Sequence, residues 1–344
     1  MPSEPAKFLA RSTKLKHPSG VEVVTPLLVP SFSSKGFQQS ENGVSAVQKA
    51  LALTSEWLTD AMLLSAYDIA YEEIPAPEDL LCTPDLIILD SGGYEAGFDQ
   101  DLSTAVVHPH EPKEWTQGHV RTVFDRWPDR FAAMFVSYDH PGYRAPVATQ
   151  VEEARKLFGS YPNQLHMLLL KPETTNQNYL RSALAAVCKE PSLLSDFDCV
   201  GVTEKELGSS LLARMRGVAE LRMALDASGS ATPIQVFGAL DPISACLYFV
   251  AGAEIFDGLT WLRYAYHRGL CVYRANYGAT SIGLSTRDSL VQGKTMTDNL
   301  NQLQKLESKM RKVAFTQEFR HFEHHSALIE QAFGDLLVKL GEAN

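Results

Sequence analysis

The feature that most constrains the fold is an alternation of short apolar runs with longer segments of helical periodicity, which begins near residue 21. The runs are rich in β-branched and large aliphatic residues, which is typical of strands buried in a parallel sheet. Such an alternation predicts repeated βα units. The predicted strands are residues 21–30, 86–90, 131–139, 165–170, 199–203, 233–238 and 254–257. The predicted helices are residues 54–66, 112–126, 147–158, 176–189, 208–227 and 242–251.

Together these units predict an α/β protein with a (β/α)8 TIM barrel over residues 1–265, including an N-terminal hairpin. The length of 344 residues suits a barrel with appended segments. One of the eight strands is not marked by a clear apolar run. Residues 266–344 are predicted to form a C-terminal extension, in which an irregular segment at 264–295 precedes amphipathic helices at 297–313 and 316–340. We expect these helices to pack on the barrel or on a partner subunit.

The composition is that of a globular chain, with 45% hydrophobic and 21% charged residues. No run approaches the roughly 18 uninterrupted apolar residues that a membrane span needs, so we expect no membrane partner. The first 16 residues lack the basic-then-apolar order of a secretory signal. We therefore expect a soluble, cytoplasmic protein.

The net charge of −10 argues against binding nucleic acid over the whole surface, although a local basic groove stays compatible with it. The five cysteines are far apart and include no C-x-x-C pair, so neither a disulfide framework nor a cysteine zinc site is predicted. They are Cys82, Cys188, Cys199, Cys246 and Cys271.

Polar residues close or directly follow several of the predicted strands. They are Asp90, Asp139, Lys171, Glu204 and Asp257. Taken singly, each is as well explained as a turn former or as the N-cap of the next helix. In a (β/α)8 barrel, however, the carboxyl ends of all strands meet at one mouth, where active sites are built. As a set, these residues predict a site at that mouth.

The run Asp90-Ser91-Gly92-Gly93-Tyr94 resembles the acid-serine-glycine-glycine-aromatic motif of the tRNA-guanine transglycosylase superfamily. Further segments are similar to other motifs of that superfamily and occur in the same order. They are residues 17–30, 61–71, 137–139, 236–238 and 255–257. The resemblance covers about residues 12–263, and ordered agreement over this length is more specific than any single motif.

The resemblance implies an enzyme that exchanges a guanine in nucleic acid for a 7-deazaguanine-type base by double displacement. Asp257 matches the nucleophile that forms a covalent glycosyl-enzyme. Asp90 matches the general acid/base, and Asp139 matches the carboxylate that reads the N–H groups of the base.

The resemblance also implies a pocket for a flat base. Tyr94 matches one stacking residue, and Phe237 stands where the family commonly has methionine, so both faces of the base would meet apolar side chains. Gly92 and Gly93 would leave room for the ring. The remaining residues expected to bind substrate are Ser91, Lys171, Gly201, Glu204, Gly238 and Arg263, of which Arg263 matches a family arginine near the sugar or phosphate.

The family's cysteine-rich zinc motif has no counterpart after the matched nucleophile, where Cys271 is the only cysteine. One thiolate cannot assemble a tetrahedral zinc site. We therefore expect no metal and no other cofactor. Because the zinc subdomain contributes to RNA binding and to the dimer in the family, both tRNA and DNA stay open as the polymer. A homodimer and a partner subunit also stay open.

Two alternatives to base exchange remain at this stage. One is a non-catalytic accessory subunit that positions RNA or holds a catalytic partner. The other is an N-glycosidase, in which water replaces the incoming base and a guanine-type base is released.

Overall fold

The computed structural model describes residues 8–35, 37, 44–79, 84–105 and 109–342. Within these residues an antiparallel hairpin of β1 (Lys14–Lys16) and β2 (Glu22–Val24) precedes eight parallel strands, and the last of the eight pairs with the first to close a barrel. The barrel strands are β3 (Leu27–Phe32), β4 (Ala61–Ser65), β5 (Leu86–Asp90), β6 (Ala133–Val136), β7 (Leu165–Leu170), β8 (Cys199–Thr203), β9 (Ile234–Phe237) and β10 (Ile255–Gly258).

Helices connect successive strands and cover the outside of the barrel. They are α1 (Ala46–Thr54), α2 (Ala66–Ala70), α3 (Gln117–Asp125), α4 (Val147–Phe158), α5 (Arg181–Lys189), α6 (Glu204–Leu207), α7 (Leu211–Ala227), α8 (Pro242–Val250) and α9 (Thr260–Arg263). The α/β class and the (β/α)8 TIM barrel predicted from the sequence are therefore confirmed.

The barrel strands separate two apolar layers. Residues that point inward, such as Leu63, Ile88 and Met134, form a core within the barrel. Their neighbours along the strands, such as Leu89 and Phe135, pack outward under the helices. Because both faces are buried, the strands are continuous apolar runs rather than alternating ones.

The prediction of a helix at residues 54–66 is wrong, and this segment contains the strand that was missing from the sequence pattern. The structure has a 3₁₀ turn at Ser55–Trp57 and then β4, which pairs with β3 and β5. The residues Ala61 to Leu64 are all good helix formers by local preference. Only their pairing in the parallel sheet selects the extended form.

The prediction of an irregular segment at residues 264–295 is also wrong. A hairpin of β11 (Ala265–His267) and β12 (Leu270–Val272) is followed by α10 (Arg274–Ser281) and by the start of α11 (Asp288–Thr316). The second predicted C-terminal helix begins later than expected. A 3₁₀ segment at Phe319–His325, kinked at Glu323, precedes α12 (Ser326–Gly341).

Helix α11 contacts α8 and β3 of the barrel, and α12 contacts α7 and α8. The fully buried Asn299 of α11 accepts a hydrogen bond from the backbone N–H of Tyr266 at 2.7 Å and donates to the carbonyls of Trp261 and Tyr264. Helix α11 thereby fixes the chain that leaves β10. Among the described residues, no helix has the length and apolar character needed to cross a membrane.

Candidate active site

The carboxyl ends of the barrel strands surround a cavity of about 130 Å³. Of the described residues, seven acidic and three basic side chains line it, so its wall is strongly acidic. Eight of the predicted site residues meet here, as expected for the mouth of such a barrel. They are Asp90, Gly93, Tyr94, Asp139, Lys171, Phe237, Gly238 and Asp257.

Asp257 lies near the end of β10, level with Val29 of β3, and is buried. Its Oδ1 accepts a hydrogen bond from the side-chain amide of Gln235 at 2.9 Å, and its Oδ2 accepts one from the hydroxyl of Ser31 at 2.9 Å. Burial raises the pKa of Asp257 to about 7, although both hydrogen bonds act in the opposite direction. The two bonds fix the carboxylate and leave a second lone pair on each oxygen.

Asp90 is the last residue of β5, and its Oδ2 accepts a hydrogen bond from the backbone N–H of Gly92 at 3.0 Å. The pKa of Asp90 is raised to about 7, mainly by burial. The negative charge of Glu95 adds to this shift, and the charges of Asp257 and Asp139 contribute less. A carboxyl group with a pKa near neutrality can both donate and accept a proton at pH 7.

Asp139 belongs to a cluster of four charged side chains on one wall of the cavity. Its Oδ1 accepts a hydrogen bond from Arg144 at 2.9 Å, and its Oδ2 lies 3.3 Å from the ammonium of Lys171. Glu206 completes the cluster at 3.0 Å from Lys171 and 3.8 Å from Arg144. Burial alone would lower the pKa of Lys171, but the charges of Asp139 and Glu206 outweigh it, and the net shift is upward. This wall therefore offers a ligand both acceptors and donors.

Two aromatic residues line the cavity from opposite sides. Tyr94 follows β5 and Phe237 ends β9, and these strands stand four positions apart in either direction around the barrel. The hydroxyl of Tyr94 accepts a hydrogen bond from Arg263 at 3.3 Å, and the ammonium of Lys35 lies 4.2 Å from the centroid of its ring. A flat ligand between Tyr94 and Phe237 has an aromatic partner on each side.

Two cations hold the loop that follows β5 over the mouth. Lys35 is 1% exposed, and its ammonium donates hydrogen bonds at 2.6 to 2.7 Å to three carbonyls of the loop, those of Tyr94, Gly97 and Asp99. Burial lowers the pKa of Lys35 to about 8. Arg263, which the resemblance assigned to the sugar or phosphate, forms an ion pair with Asp101 of the same loop at 2.6 Å.

Five of the predicted site residues do not line the cavity. The hydroxyl of Ser91 accepts a hydrogen bond from the backbone N–H of Asp139 at 3.2 Å, which positions that residue. The carboxylate of Glu204 accepts a hydrogen bond from the hydroxyl of Tyr248 at 2.7 Å, and burial raises the pKa of Glu204 to about 7. The five residues are Ser91, Gly92, Gly201, Glu204 and Arg263.

Gly201 on β8 leaves the space that the ring of Phe237 fills. A Cβ atom at this position would lie 2.6 Å from the ring and 3.1 Å from the sulfur of Met167. Gly201→Ala is therefore expected to displace Phe237 and to reduce the free energy of unfolding by about 1–3 kcal/mol. Urea unfolding of the purified variant measures the change.

Gly334→Ala is the matched control for this substitution. Gly334 lies inside α12, and no described atom falls within 4 Å of the position that its Cβ would take. We expect its free energy of unfolding to stay constant or to rise by up to about 1 kcal/mol, because alanine favours a helix interior. Equal stability of Gly201→Ala and the wild type would contradict the placement of Phe237.

Several residues of the site were missed in the sequence. Glu95 follows the matched motif directly, Arg144 lies in the loop after β6, and Glu206 lies in the short helix α6 after β8. The signal available for all three was their position shortly after a predicted strand end. Lys35 also follows a predicted strand, at residues 21–30, but its role could not be read from the sequence, because its contacts join segments about 60 positions apart.

The residues around Cys271 do not fit the zinc site of the superfamily that the sequence resembles. Cys271 lies in the β11–β12 hairpin, and over the described ranges no three His, Cys, Asp or Glu side chains are arranged to hold a metal ion. Cys82 lies outside these ranges.

Comparisons with known proteins add no assignment to this geometry. No protein-family model matches the chain, and no curated protein matches it. The function of the site must accordingly be inferred from two buried carboxyl groups, an acidic wall and two opposed aromatic residues at one barrel mouth.

Proposed function

We propose that the protein is a guanine transglycosylase that acts on nucleic acid, exchanging guanine for a 7-deazaguanine-type base through a covalent aspartyl intermediate. The observation that carries the proposal is the pair Asp90 and Asp257, two buried carboxyl groups with pKa values of about 7 that line one cavity. Double displacement at a sugar carbon needs one carboxylate to attack and one carboxylic acid to protonate the leaving group.

In the first step an oxygen of Asp257 forms a bond to C1′ of the sugar while the bond between C1′ and the base nitrogen breaks. The carboxyl group of Asp90 gives its proton to the departing base, whose nitrogen takes the electron pair of the broken bond. In the second step the incoming base loses an N–H proton to Asp90 and displaces the Asp257 ester. Ser31 and Gln235 hold Asp257 in one orientation through both steps.

The cavity suits a neutral, flat base that is rich in N–H groups. Tyr94 and Phe237 supply the two faces for stacking, which offsets the few kcal/mol needed to unstack a nucleotide. Acidic side chains such as Asp139 accept hydrogen bonds from ring N–H and amino groups. The same acidity opposes entry of phosphates, so the backbone of the polymer stays outside the cavity.

The accessory-subunit alternative would be favoured by an Asp257 that faces away from the mouth. Asp257 instead lines the cavity together with Asp90, which supports a catalytic role. Either tRNA or DNA serves as the polymer in this proposal, and a free 7-deazaguanine-type base is the second substrate.

Labelled guanine provides the direct test. The protein is incubated with it and with tRNA, single-stranded DNA or duplex DNA, and the label in the polymer is counted. Uptake of label into one polymer is expected. Mass spectrometry of the polymer separates exchange from hydrolysis, since an abasic product identifies an N-glycosidase and rules the exchange out. Absence of both label and abasic sites in every polymer would refute the enzymatic proposal.

The pH dependence of kcat/KM is expected to be bell-shaped with a maximum near pH 7. Asp257 must be ionised to attack, so activity rises as pH increases through its pKa of about 7. Asp90 must be protonated to donate, so activity falls as pH increases through its pKa of about 7. The two limbs belong to the coupled pair rather than to either residue alone. A profile that is flat from about pH 5 to 9 would be incompatible with this pair as the acid and the nucleophile.

A further inference from the structure

Glu95 is a buried carboxylate of the cavity wall that has no role in the two steps above. It lies five residues after Asp90 and is 2% exposed. Its Oε1 accepts a hydrogen bond from the hydroxyl of Ser33, and its Oε2 accepts one from the hydroxyl of Ser65 at 2.8 Å. Ser65 is the register partner of Asp90 on the neighbouring strand, so this contact holds the Glu95 carboxylate beside the end of β5.

The surroundings of Glu95 and Asp90 differ in how well they stabilise a negative charge. Two hydroxyl donors contact Glu95, and the ammonium of Lys35 is close enough for the two charges to attract. Asp90 accepts a hydrogen bond from the backbone N–H of Gly92. The charged groups that shift the pKa of Asp90 are all negative. Hydrogen-bond donors and a cation therefore surround the Glu95 carboxylate, whereas the charges that act on Asp90 favour its protonated form.

Titratable groups from other elements of the fold also lie near Asp90 and Glu95. Asp139 after β6 and Asp257 of β10 face Asp90. Asp68 of α2 faces Glu95, and burial together with the charge of Glu95 raises the pKa of Asp68 well above its usual range. Two phenols and one imidazole are also near Glu95, namely those of Tyr67, Tyr94 and His110, of which His110 contacts its backbone carbonyl.

We propose that Glu95 is a positioning residue whose fixed negative charge keeps the proton on Asp90 until the departing base takes it. Glu95 forms no bond to the substrate and changes no bond in either step. Its effect on the rate depends on the proposed exchange reaction, whereas its effect on the proton of Asp90 does not.

The decisive substitution is Glu95→Gln, which removes the charge and keeps the size of the side chain. The protein should still fold, because the amide oxygen accepts a hydrogen bond from one serine and the amide nitrogen donates to the other, whose hydroxyl is also an acceptor. Glu95→Asp keeps the charge and serves as the conservative variant. Ser65→Ala removes one contact of Glu95 without removing the charge.

The proton itself can be followed by NMR titration of ¹³C-labelled aspartate carboxyl groups, with the Asp90 signal assigned from Asp90→Asn. In Glu95→Gln the titration midpoint of Asp90 is expected to move to lower pH by about one unit or more, since a neighbouring negative charge is gone. In Glu95→Asp and Ser65→Ala it is expected to stay nearer the wild-type value. An unchanged midpoint in Glu95→Gln would overturn the proposal.

A kinetic readout complements the titration. In Glu95→Gln the maximum of the pH profile of kcat/KM is expected to move to lower pH by about half that amount and the maximal rate to fall, because the maximum lies at the mean of the pKa values of Asp90 and Asp257. Glu95→Asp is expected to restore the position of the maximum. A lower rate with an unmoved maximum would indicate a purely structural role and would also overturn the proposal. If the wild type exchanges no base, the proposed function fails, while the NMR titration still decides the role of Glu95.

Discussion

Replacing Asp257 by asparagine is expected to reduce base exchange by at least about 10³-fold, because an amide does not form the covalent glycosyl intermediate. The amide can still accept a hydrogen bond from Ser31, so the cavity should keep its shape. Wild-type protein mixed with substrate polymer should give a covalent complex that survives denaturing electrophoresis. Asp257→Asn should give none.

The matched control for this substitution is Asp198→Asn. Asp198 precedes β8 at the opposite end of the barrel and accepts a hydrogen bond from the backbone N–H of His166 at 2.8 Å. The same chemical change there should leave both exchange and the covalent complex at wild-type levels. A covalent complex in Asp257→Asn would show that another residue is the nucleophile.

Asp90→Asn is expected to slow exchange by about 10²–10⁴-fold, which is the usual contribution of a general acid or base. Asparagine cannot protonate the departing guanine or accept a proton from the incoming base. The pH profile of the variant should also lack a descending limb, since its rate depends only on the ionisation of Asp257 and no longer on a group that must be protonated. Rates at several pH values between 5 and 9 provide the measurement.

A substrate that carries 7-methylguanine separates the acid role of Asp90 from a structural one. This base already bears a positive charge and leaves without protonation, so Asp90→Asn should form the covalent complex at a rate close to that of the wild type. Glu307→Gln is the control for loss of a buried carboxyl, because burial raises the pKa of Glu307 to about 7 as well, yet it lies on α11 away from the cavity. An equally slow reaction with both substrates would remove Asp90 from the role of acid.

Much of the site could be predicted because the carboxyl ends of all barrel strands lie at the same mouth. Asp90 and Asp257 close apolar runs in the sequence, and a barrel brings such strand ends to one mouth. The resemblance to the superfamily predicts Tyr94 and Phe237, and the structure places them on opposite sides of the cavity. These residues are separated by up to about 170 positions, yet each carries a local signal next to its own strand.

The supporting residues could not be predicted in this way. Glu204 and Arg263 stand near strand ends just as Asp90 does, but they form bonds to Tyr248 and Asp101 and do not line the cavity. Which way a polar side chain points depends on partners from distant segments. A single sequence holds no record of those partners.

The chain's alternating pattern was enough to establish the α/β barrel and the end of it at which a site would lie, because hydrophobic periodicity is a local property of the sequence. The tertiary structure decided that residues 61–65 form a strand, since pairing with β3 and β5 overrides the helical preference of those residues. It also decided the ionisation of the site. Burial raises the pKa values of Asp90 and Asp257, and the charges of Asp139 and Asp257 reach Asp90 because their strands end at the same mouth; neither effect exists until the barrel has closed.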